Sequence, residues 1–160
     1  MRTIILPGVP LPASAICLGT ALHGSTIADD DAFALLDIFV ERGGNFLDTA
    51  HIYAAWLPNG HGQSERAIGA WLRSRGSRAS TVIATKGGHP SWTAVPQARL
   101  RPEDIASDLT ESCERLGTDV IDLYWLHRDD PAVPVDEILD ALQRLIASGR
   151  IRAIGASNWR

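Results

Sequence analysis

The sequence has few cysteines, no long apolar run and no cluster of basic residues, and each absence argues against a class of protein. Its two cysteines, Cys17 and Cys113, lack the spacing of metal ligands and lie among apolar residues. We therefore expect buried free thiols and a reducing, cytoplasmic location. No segment reaches the roughly 20 apolar residues that span a bilayer. The N-terminal apolar run is broken by Pro7 and Pro10 before it has the length of a signal peptide.

The charge balance argues against two kinds of partner. A net charge of −4 and a pI near 5.7 disfavour nucleic acid and anionic membranes as the main binding partners. The 160 residues are 45% hydrophobic and 21% charged, which is typical of a soluble globular protein able to bury a core. Length and composition together predict a single domain that covers residues 1–160.

Strand-like and helix-like segments alternate along the chain. A short N-terminal hairpin is expected from residues 3–6 and 13–18, and its second strand leads into Gly19 and Thr20. Four further strands are predicted, each preceded by a helix. The strands cover residues 45–48, 81–85, 120–126 and 151–156, and the helices begin near Asp29, Ser64, Pro102 and Asp136. Ser64 is predicted to be the N-cap of its helix.

This alternation predicts a parallel sheet with right-handed crossovers, for which two architectures are available. The dinucleotide fingerprint of a doubly wound sheet is missing, because residues 19–24 read G-T-A-L-H-G instead of G-x-G-x-x-G. A (β/α)8 barrel has units of about 30 residues, and five strands in 160 residues match that repeat. We therefore expect an α/β fold of the (β/α)8 TIM-barrel type that is incomplete, with about five strands and four helices.

Polar side chains stand where the predicted strands give way to loops. Asp48, Lys86 and His127 each close a predicted strand, and Tyr53 lies five residues after Asp48. The carboxyl ends of barrel strands form the active-site mouth. A carboxylate, a phenol, an ammonium and an imidazole are therefore expected to meet there.

Together these groups can form an acid that protonates a carbonyl oxygen. A neighbouring ammonium favours the ionised form of a phenol, and a carboxylate fixes the ammonium in place. Asp48, Lys86 and Tyr53 supply these parts. His127 could hydrogen-bond the same substrate oxygen and orient the substrate.

Four segments resemble the signature segments of aldo-keto reductases, in the order and at the spacing of that family. They are residues 44–53, 83–86, 121–127 and 154–158. The resemblance extends from Leu18 to Asn158, nearly the whole chain. The continuation after His127 resembles the bacterial branches of the family.

The resemblance implies a barrel enzyme that binds NADP(H) across its mouth and reduces an aldehyde or ketone carbonyl, its small-molecule substrate. Hydride would pass from the nicotinamide to the carbonyl carbon while Tyr53, the family's acid, protonates the oxygen. Lys86 and Asp48 match the family's lysine and aspartate. His127 matches the histidine that orients the carbonyl.

The same resemblance implies contacts with the cofactor. Ser157 and Asn158 match the pair that binds the nicotinamide carboxamide. Gly19, Thr20 and Ala21 match the loop that passes close to the nicotinamide ribose. Asp48 lies at the same opening and is counted among the cofactor-binding residues as well.

The loop after the tyrosine departs from the family pattern. Many relatives have glycine soon after Tyr53, whereas this chain continues with a longer loop that contains Trp56. Trp92 lies in the loop after Lys86. Both tryptophans are therefore expected to shape the substrate pocket.

The residues leave a metal-dependent barrel hydrolase as an alternative. Such enzymes hold a divalent cation with histidines and carboxylates, although the H-x-H spacing usual on their first strand is absent here. The candidate ligands would be Asp48, His51, His61, His89, His127 and Asp129.

A non-catalytic function is the other alternative. Five strands leave a barrel open, with a free sheet edge on each side. We expect a truncated chain that is weakly active or inactive by itself. Its open half-barrel could self-associate or serve as a cofactor-binding subunit.

Overall fold

A computed structural model describes residues 1–92 and 97–159 and shows a sheet of five parallel strands flanked by helices. An antiparallel hairpin of β1 (Thr3–Ile4) and β2 (Ala13–Ser14) precedes the sheet. The sheet contains β3 (Leu18–Gly19), β4 (Phe46–Asp48), β5 (Val82–Gly87), β6 (Ile121–Leu126) and β7 (Ile151–Ala156). These strands lie side by side in chain order.

Within the described residues, four α-helices connect the parallel strands, as the alternation of the sequence predicts. They are α1 (Asp29–Glu41), α2 (Gln63–Arg75), α3 (Pro102–Leu116) and α4 (Val135–Ala147), and a 3-10 turn at Arg78–Ser80 follows α2. Pro102 fits the first turn of α3 because no N–H is needed there. In this part of the chain, none of the helices has the length and apolar character needed to cross a membrane.

One helical crossover joins each parallel pair of strands, which is the arrangement of a (β/α)8 barrel. Within residues 1–92 and 97–159, β3 pairs only with β4, and β7 pairs only with β6. The expected fold class is confirmed: the chain forms a partial, unclosed barrel.

The start of α2 differs from the sequence prediction. Gly62 occupies the N-cap with a left-handed φ of 74°, and no side chain caps the helix. The helix begins at Gln63, so Ser64 lies inside the first turn and the prediction that it is the N-cap is wrong. Its hydroxyl is buried and hydrogen-bonds to the loops after β3 and β4 instead.

Side chains alternate between the two faces of the sheet with a period of two residues. On the face away from the helices, Phe46, Val82, Ala84 and Leu123 form an apolar layer, which the hairpin loop covers with Val9. The hairpin closes this interior at the amino ends of the strands. Inward positions nearer the carboxyl ends therefore line the open mouth.

The opposite face of the sheet packs against the helices. The large side chains that the helices bury completely in this core include Leu36, Ile68, Trp71, Ile105, Leu109 and Ile138. Cys113 belongs to this core and is buried as expected. Cys17 is exposed, so the expectation of a buried thiol is wrong there. It precedes the edge strand β3, which has no strand on its outer side within the described residues.

We predict that Gly69→Ala destabilises the protein, although alanine is the better helix former. In a helix interior, alanine is normally favoured over glycine by about 1 kcal/mol. A Cβ at Gly69 would lie 2.3 Å from the carbonyl oxygen of Arg115, because α2 and α3 pack closely there. The free energy of unfolding, measured with urea, should therefore fall.

Ala70→Gly, at the next position of α2, is the control. It should cost only the ordinary propensity difference of about 1 kcal/mol. A Gly69→Ala variant more stable than the parent would contradict the close helix contact.

Candidate active site

The ammonium group of Lys86 is the centre of a polar cluster at the carboxyl ends of the strands. Its Nζ donates to Asp48 Oδ2 at 2.5 Å, to the Thr49 carbonyl oxygen at 2.7 Å and to Tyr53 Oη at 3.0 Å. An ammonium has three protons, so each has an acceptor. Lys86 is only 8% exposed, and these contacts compensate for the removal of its charge from water.

The contact with Lys86 fixes the direction of the hydrogen bond to Tyr53. Because an ammonium can only donate, the phenol oxygen accepts from Nζ. The phenol proton therefore remains available for another acceptor at the mouth. Nζ also lies 4.7 Å from the centroid of the Tyr53 ring, a position in which the ring quadrupole attracts the cation.

Strand alternation brings the four predicted residues to one place. Asp48, Lys86 and His127 occupy inward positions beyond the apolar layer, at the end that the hairpin leaves open. The rings of Tyr53 and His127 are 6.0 Å apart between centroids, with an interplanar angle of 80°. The structure thus places all four side chains together.

His127 is a buried, neutral histidine. Its Nδ1 has no hydrogen-bond partner among the described residues. Burial and the nearby charges of His89, Lys86 and Arg128 lower its pKa from 6.5 to about 3. A neutral imidazole retains one N–H donor. It can therefore hydrogen-bond a carbonyl oxygen near neutral pH without itself acting as the acid.

The loop after β3 is fastened to the end of β4. Thr20 donates its N–H at 3.0 Å and its hydroxyl at 2.8 Å to the Asp48 carbonyl oxygen. Ser64 donates to the Thr20 carbonyl oxygen at 2.7 Å and lies 2.8 Å from the Thr49 hydroxyl. Asp48 and Thr49, which supply two of the acceptors of Lys86, are thus held in place by a side chain of α2. Sequence reasoning missed this role, because a serine near a helix start is more often a cap.

The other residues considered for cofactor binding lie around the same opening. Gly19 ends β3, and apart from its chain neighbours no described residue has an atom within 4 Å of where its Cβ would stand. Ala21 follows in the loop and is half-buried. After β7, Asn158 Nδ2 donates to Ser157 Oγ at 2.9 Å and to the His127 carbonyl oxygen at 3.3 Å. Asn158 is otherwise exposed at the mouth.

Aromatic rings stand beside the Tyr53 phenol. Centroid distances are 6.4 Å from Tyr53 to Trp56, 5.9 Å from Trp56 to Trp92 and 6.1 Å from Trp92 to His89. His89 is in turn 4.8 Å from His127. These contacts form a continuous aromatic chain between two candidate catalytic residues. A cavity of about 300 Å³ borders His89 and Trp92, and Trp92 is 54% exposed.

Three of the residues considered as metal ligands, His51, His61 and His89, line one cavity, but the six candidates, all of them described, do not form a binding cluster. His51 and His61 form a T-shaped pair with centroids 4.7 Å apart, whereas His89 contacts His127. Asp129 borders a different depression at the mouth. Among the residues that the structure describes, no three His, Cys, Asp or Glu side chains are grouped to hold a metal ion. This geometry gives no support to a metal-dependent hydrolase.

Comparison with known proteins decides the family. The model of the aldo/keto reductase family matches residues 15–160. The chain belongs to the aldo/keto reductase family. This confirms the resemblance read from the four sequence segments and places the chain among the oxidoreductases.

Relatives of this aldo/keto reductase match nearly the whole chain. Norsolorinic acid reductase stcV of Emericella nidulans is 34% identical, over 97% of this chain and 42% of its own length. Protein tas of Escherichia coli is 34% identical, over 96% of this chain and 51% of its own length. The solved holo form of aldo-keto reductase AKR11C1 from Bacillus halodurans has a TM-score of 0.84 and 30% identity, over 99% of this chain and 50% of that chain. The chain thus spans about half the length of the curated relatives it matches.

We predict that the His127 imidazole takes up no proton between about pH 5 and pH 8, where histidines normally titrate. The reason is its pKa of about 3 in the folded state. An NMR titration of the histidine ring signals should show no midpoint for His127 in this range, and the His127→Gln variant identifies the signal. A midpoint near 6.5 would contradict the prediction.

The lowered pKa of His127 also makes the stability of the protein depend on pH. Below pH 6.5 the unfolded chain protonates His127 while the folded chain does not, so the unfolded state binds more protons. The free energy of unfolding should therefore fall as the pH is lowered from 6.5 toward 3. His23 and His61, whose pKa values burial also lowers, act in the same direction. The difference in slope between the parent and His127→Gln isolates the contribution of His127.

Proposed function

We propose that the protein reduces aldehydes or ketones to alcohols, with NADP(H) as the hydride donor and Tyr53 as the proton donor. One observation carries this proposal: Lys86 Nζ donates to the phenol oxygen and leaves the phenol proton free for a substrate. In the reaction a hydride is added to the carbonyl carbon and a proton to the carbonyl oxygen. A bound NADP(H) would supply the hydride and thus be the group that is oxidised.

Lys86 and Asp48 prepare Tyr53 for proton transfer. When the proton leaves, negative charge remains on the phenol oxygen, 3.0 Å from the ammonium. An ammonium already in place stabilises that charge without reorganisation. Asp48, 2.5 Å from Nζ, holds the ammonium in position.

His127 is proposed to orient the carbonyl group. Its ring stands nearly perpendicular to that of Tyr53, and a carbonyl oxygen placed at their edges could accept from both. Since the pKa of His127 is about 3, the imidazole is neutral and does not compete with the phenol as the acid.

The residues around the opening fit a nicotinamide ring, which when bound supplies the hydride. The exposed Asn158 amide and the Ser157 hydroxyl offer a donor and an acceptor for a carboxamide. Open space at Gly19 leaves the backbone of β3 accessible beside Asp48, with Thr20 and Ala21 next in the loop. NADP(H) rather than NAD(H) is proposed on the resemblance of the sequence to the family.

The proposal applies to an enzyme with a complete barrel. The chain spans about half the length of its curated relatives, and β3 and β7 each lack a neighbour on one side within the described residues. We propose that the 160 residues by themselves reduce carbonyl compounds weakly or not at all. Turnover should be compared between this chain and a form in which the barrel is closed.

Trp56 and Trp92 are proposed to form the substrate wall. Both belong to the aromatic chain that begins at Tyr53, and Trp92 is 54% exposed at the mouth. Rings in edge or stacked contact favour an aromatic guest. We therefore propose that aromatic carbonyl compounds are better substrates than small aliphatic ones.

We predict that, in a form in which the barrel is closed, Tyr53→Phe lowers kcat by roughly 100-fold to 10,000-fold, the usual contribution of a general acid. Affinity for NADPH should stay near that of the parent, because the ring remains and only the phenol oxygen is lost. Consumption of NADPH against a panel of aldehydes and ketones measures the first quantity, and quenching of protein fluorescence measures the second.

Tyr124→Phe is the matched control, because Tyr124 is the other tyrosine of the sequence. Its hydroxyl is buried on the helix side of the sheet and, among the described residues, donates at 3.4 Å to the Ile105 carbonyl oxygen. This variant should keep the parent kcat. Parent-like turnover in Tyr53→Phe would show that the acid is assigned to the wrong residue.

We predict that Trp92→Ala lowers kcat/KM for aromatic aldehydes by about threefold to tenfold relative to small aliphatic aldehydes, as expected from the loss of one aromatic contact. Leu57→Ala, at an exposed position in the Trp56 loop, is the control and should leave this ratio unchanged. An equal loss of kcat/KM for both substrate classes in Trp92→Ala would show that Trp92 is not part of the substrate wall.

A further inference from the structure

We infer that His51 and Glu111 hold the Tyr53 segment against Lys86, an inference that rests on the roles proposed above for Tyr53 and Lys86. His51 lies in the short loop between Asp48 and Tyr53, and its ring points away from them toward α3. It is therefore a positioning residue, which acts on the reaction through the placement of the phenol.

His51 is bonded to both catalytic segments and to α3. Its N–H donates to the Lys86 carbonyl oxygen at 2.9 Å, which ties the loop to the end of β5. Its carbonyl oxygen accepts from Arg115 Nη1 at 3.2 Å, and its Nε2 lies 3.0 Å from Glu111 Oε2. The residue is 7% exposed. Each polar group named here thus meets a partner, two of them on α3.

The hydrogen-bond chemistry fixes the orientation of the His51 ring. A carboxylate only accepts, so Nε2 carries the proton and donates to Glu111. Glu111 also accepts from Arg115 Nη2 at 2.6 Å, one helical turn away. Arg115 Nη1 lies 3.2 Å from Oε2 of the fully buried Glu65. These charge-assisted bonds hold the acceptor of the His51 ring in one place.

The end of β5 is held by direct contacts with Glu65 and Asp108 rather than with Glu111. Thr85 Oγ1 donates to Glu65 Oε1 at 2.6 Å, and the Gly88 N–H donates to Asp108 Oδ2 at 2.8 Å. Both carboxylates are fully buried. The residues on either side of Lys86 thus bond directly to buried carboxylates, and Glu111 reaches Thr85 only through Arg115 and Glu65.

Loss of the His51–Glu111 bond should accordingly displace Tyr53 while Lys86 stays in place. The two side chains meet through one 3.0 Å hydrogen bond, and a misplacement of about 1 Å can cost roughly 100-fold in rate. The backbone bonds of His51 remain in such a variant. We therefore expect a loss of roughly tenfold in kcat, with KM nearly unchanged because neither residue is placed against the substrate.

The variants distinguish loss of the hydrogen bond between His51 and Glu111 from loss of the negative charge of Glu111. Glu111→Ala removes the acceptor, whereas Glu111→Gln keeps a carbonyl oxygen near the same position and should retain most of the rate. His51→Gln keeps an N–H donor, and His51→Leu removes it. Glu114→Ala, at an exposed position on α3, is the matched control and should behave like the parent.

The solvent isotope effect on kcat distinguishes positioning from a mere loss of folded protein. A misplaced phenol slows proton transfer, so the ratio of kcat in water to kcat in heavy water should rise in Glu111→Ala and His51→Leu. Partial unfolding lowers kcat in both solvents equally and leaves this ratio unchanged. Rescue of the ratio by Glu111→Gln is expected.

A second readout needs no turnover. Lys86 is the only lysine of the sequence, so isotope-labelled lysine gives a single side-chain NMR signal that reports on its Nζ contacts. Tyr53→Phe supplies the signal of a lysine without the phenol contact. In Glu111→Ala and His51→Leu the signal should move toward that reference, and in Glu111→Gln it should stay near the parent.

The outcomes separate this inference from the proposed function. If a form in which the barrel is closed reduces no carbonyl compound but the lysine signal of this chain moves as described, the proposed function fails and the positioning role stands. If the parent is active while Glu111→Ala and His51→Leu keep its kcat, isotope effect and lysine signal, the positioning role is wrong. Should the His51 variants fail to fold, the Glu111 pair alone decides.

Discussion

The buried ammonium of Lys86 is the constraint on which the arrangement of this site depends. A cation that is 8% exposed needs an acceptor for each of its three protons, and a missing one costs about 1–3 kcal/mol. All three acceptors come from the short stretch between the end of β4 and Tyr53. That stretch must therefore turn its three acceptors toward one side chain, which also sets the direction of the phenol proton.

The surroundings of the ammonium divide into an apolar interior and a polar outer network. The interior is closed by the hairpin at the amino ends of the strands. It is filled by apolar residues such as Phe46 and Leu123, so the site is reached from the carboxyl ends. On the helix side, α2 and α3 place the buried carboxylates Glu65 and Asp108 against the end of β5 and the loop that follows it. Charged groups at a helix–loop boundary are costly to bury without partners. Their full pairing here fits a role in holding loops in a defined position.

Much of this architecture could be predicted from local patterns. The hydrophobic periodicity of the sequence indicates the alternation of strands and helices. Asp48, Lys86 and His127 stand at strand ends, where the alternation of side chains brings them to one side of the sheet. The prediction that Ser64 is an N-cap is wrong because its hydrogen-bond partners lie on two loops that are distant in the sequence. A cap is the commoner role of a serine at this local position. The partner of His51 is 60 residues distant. A pairing of this kind leaves no local pattern, so it becomes visible only once α3 is packed on the sheet.

The two-residue alternation of β5 and β6 determines which sequence changes this barrel tolerates. Replacing Ala84 by another small apolar residue alters packing and leaves Lys86 on the inward face. Adding or deleting one residue between them would instead turn the ammonium toward the apolar helix side of the sheet, away from all three of its acceptors. Substitution can thus adjust the interior in small steps, whereas a change of strand length removes the site at once. Variation in length is compatible with the chemistry only in the loops, such as the one that carries Trp56.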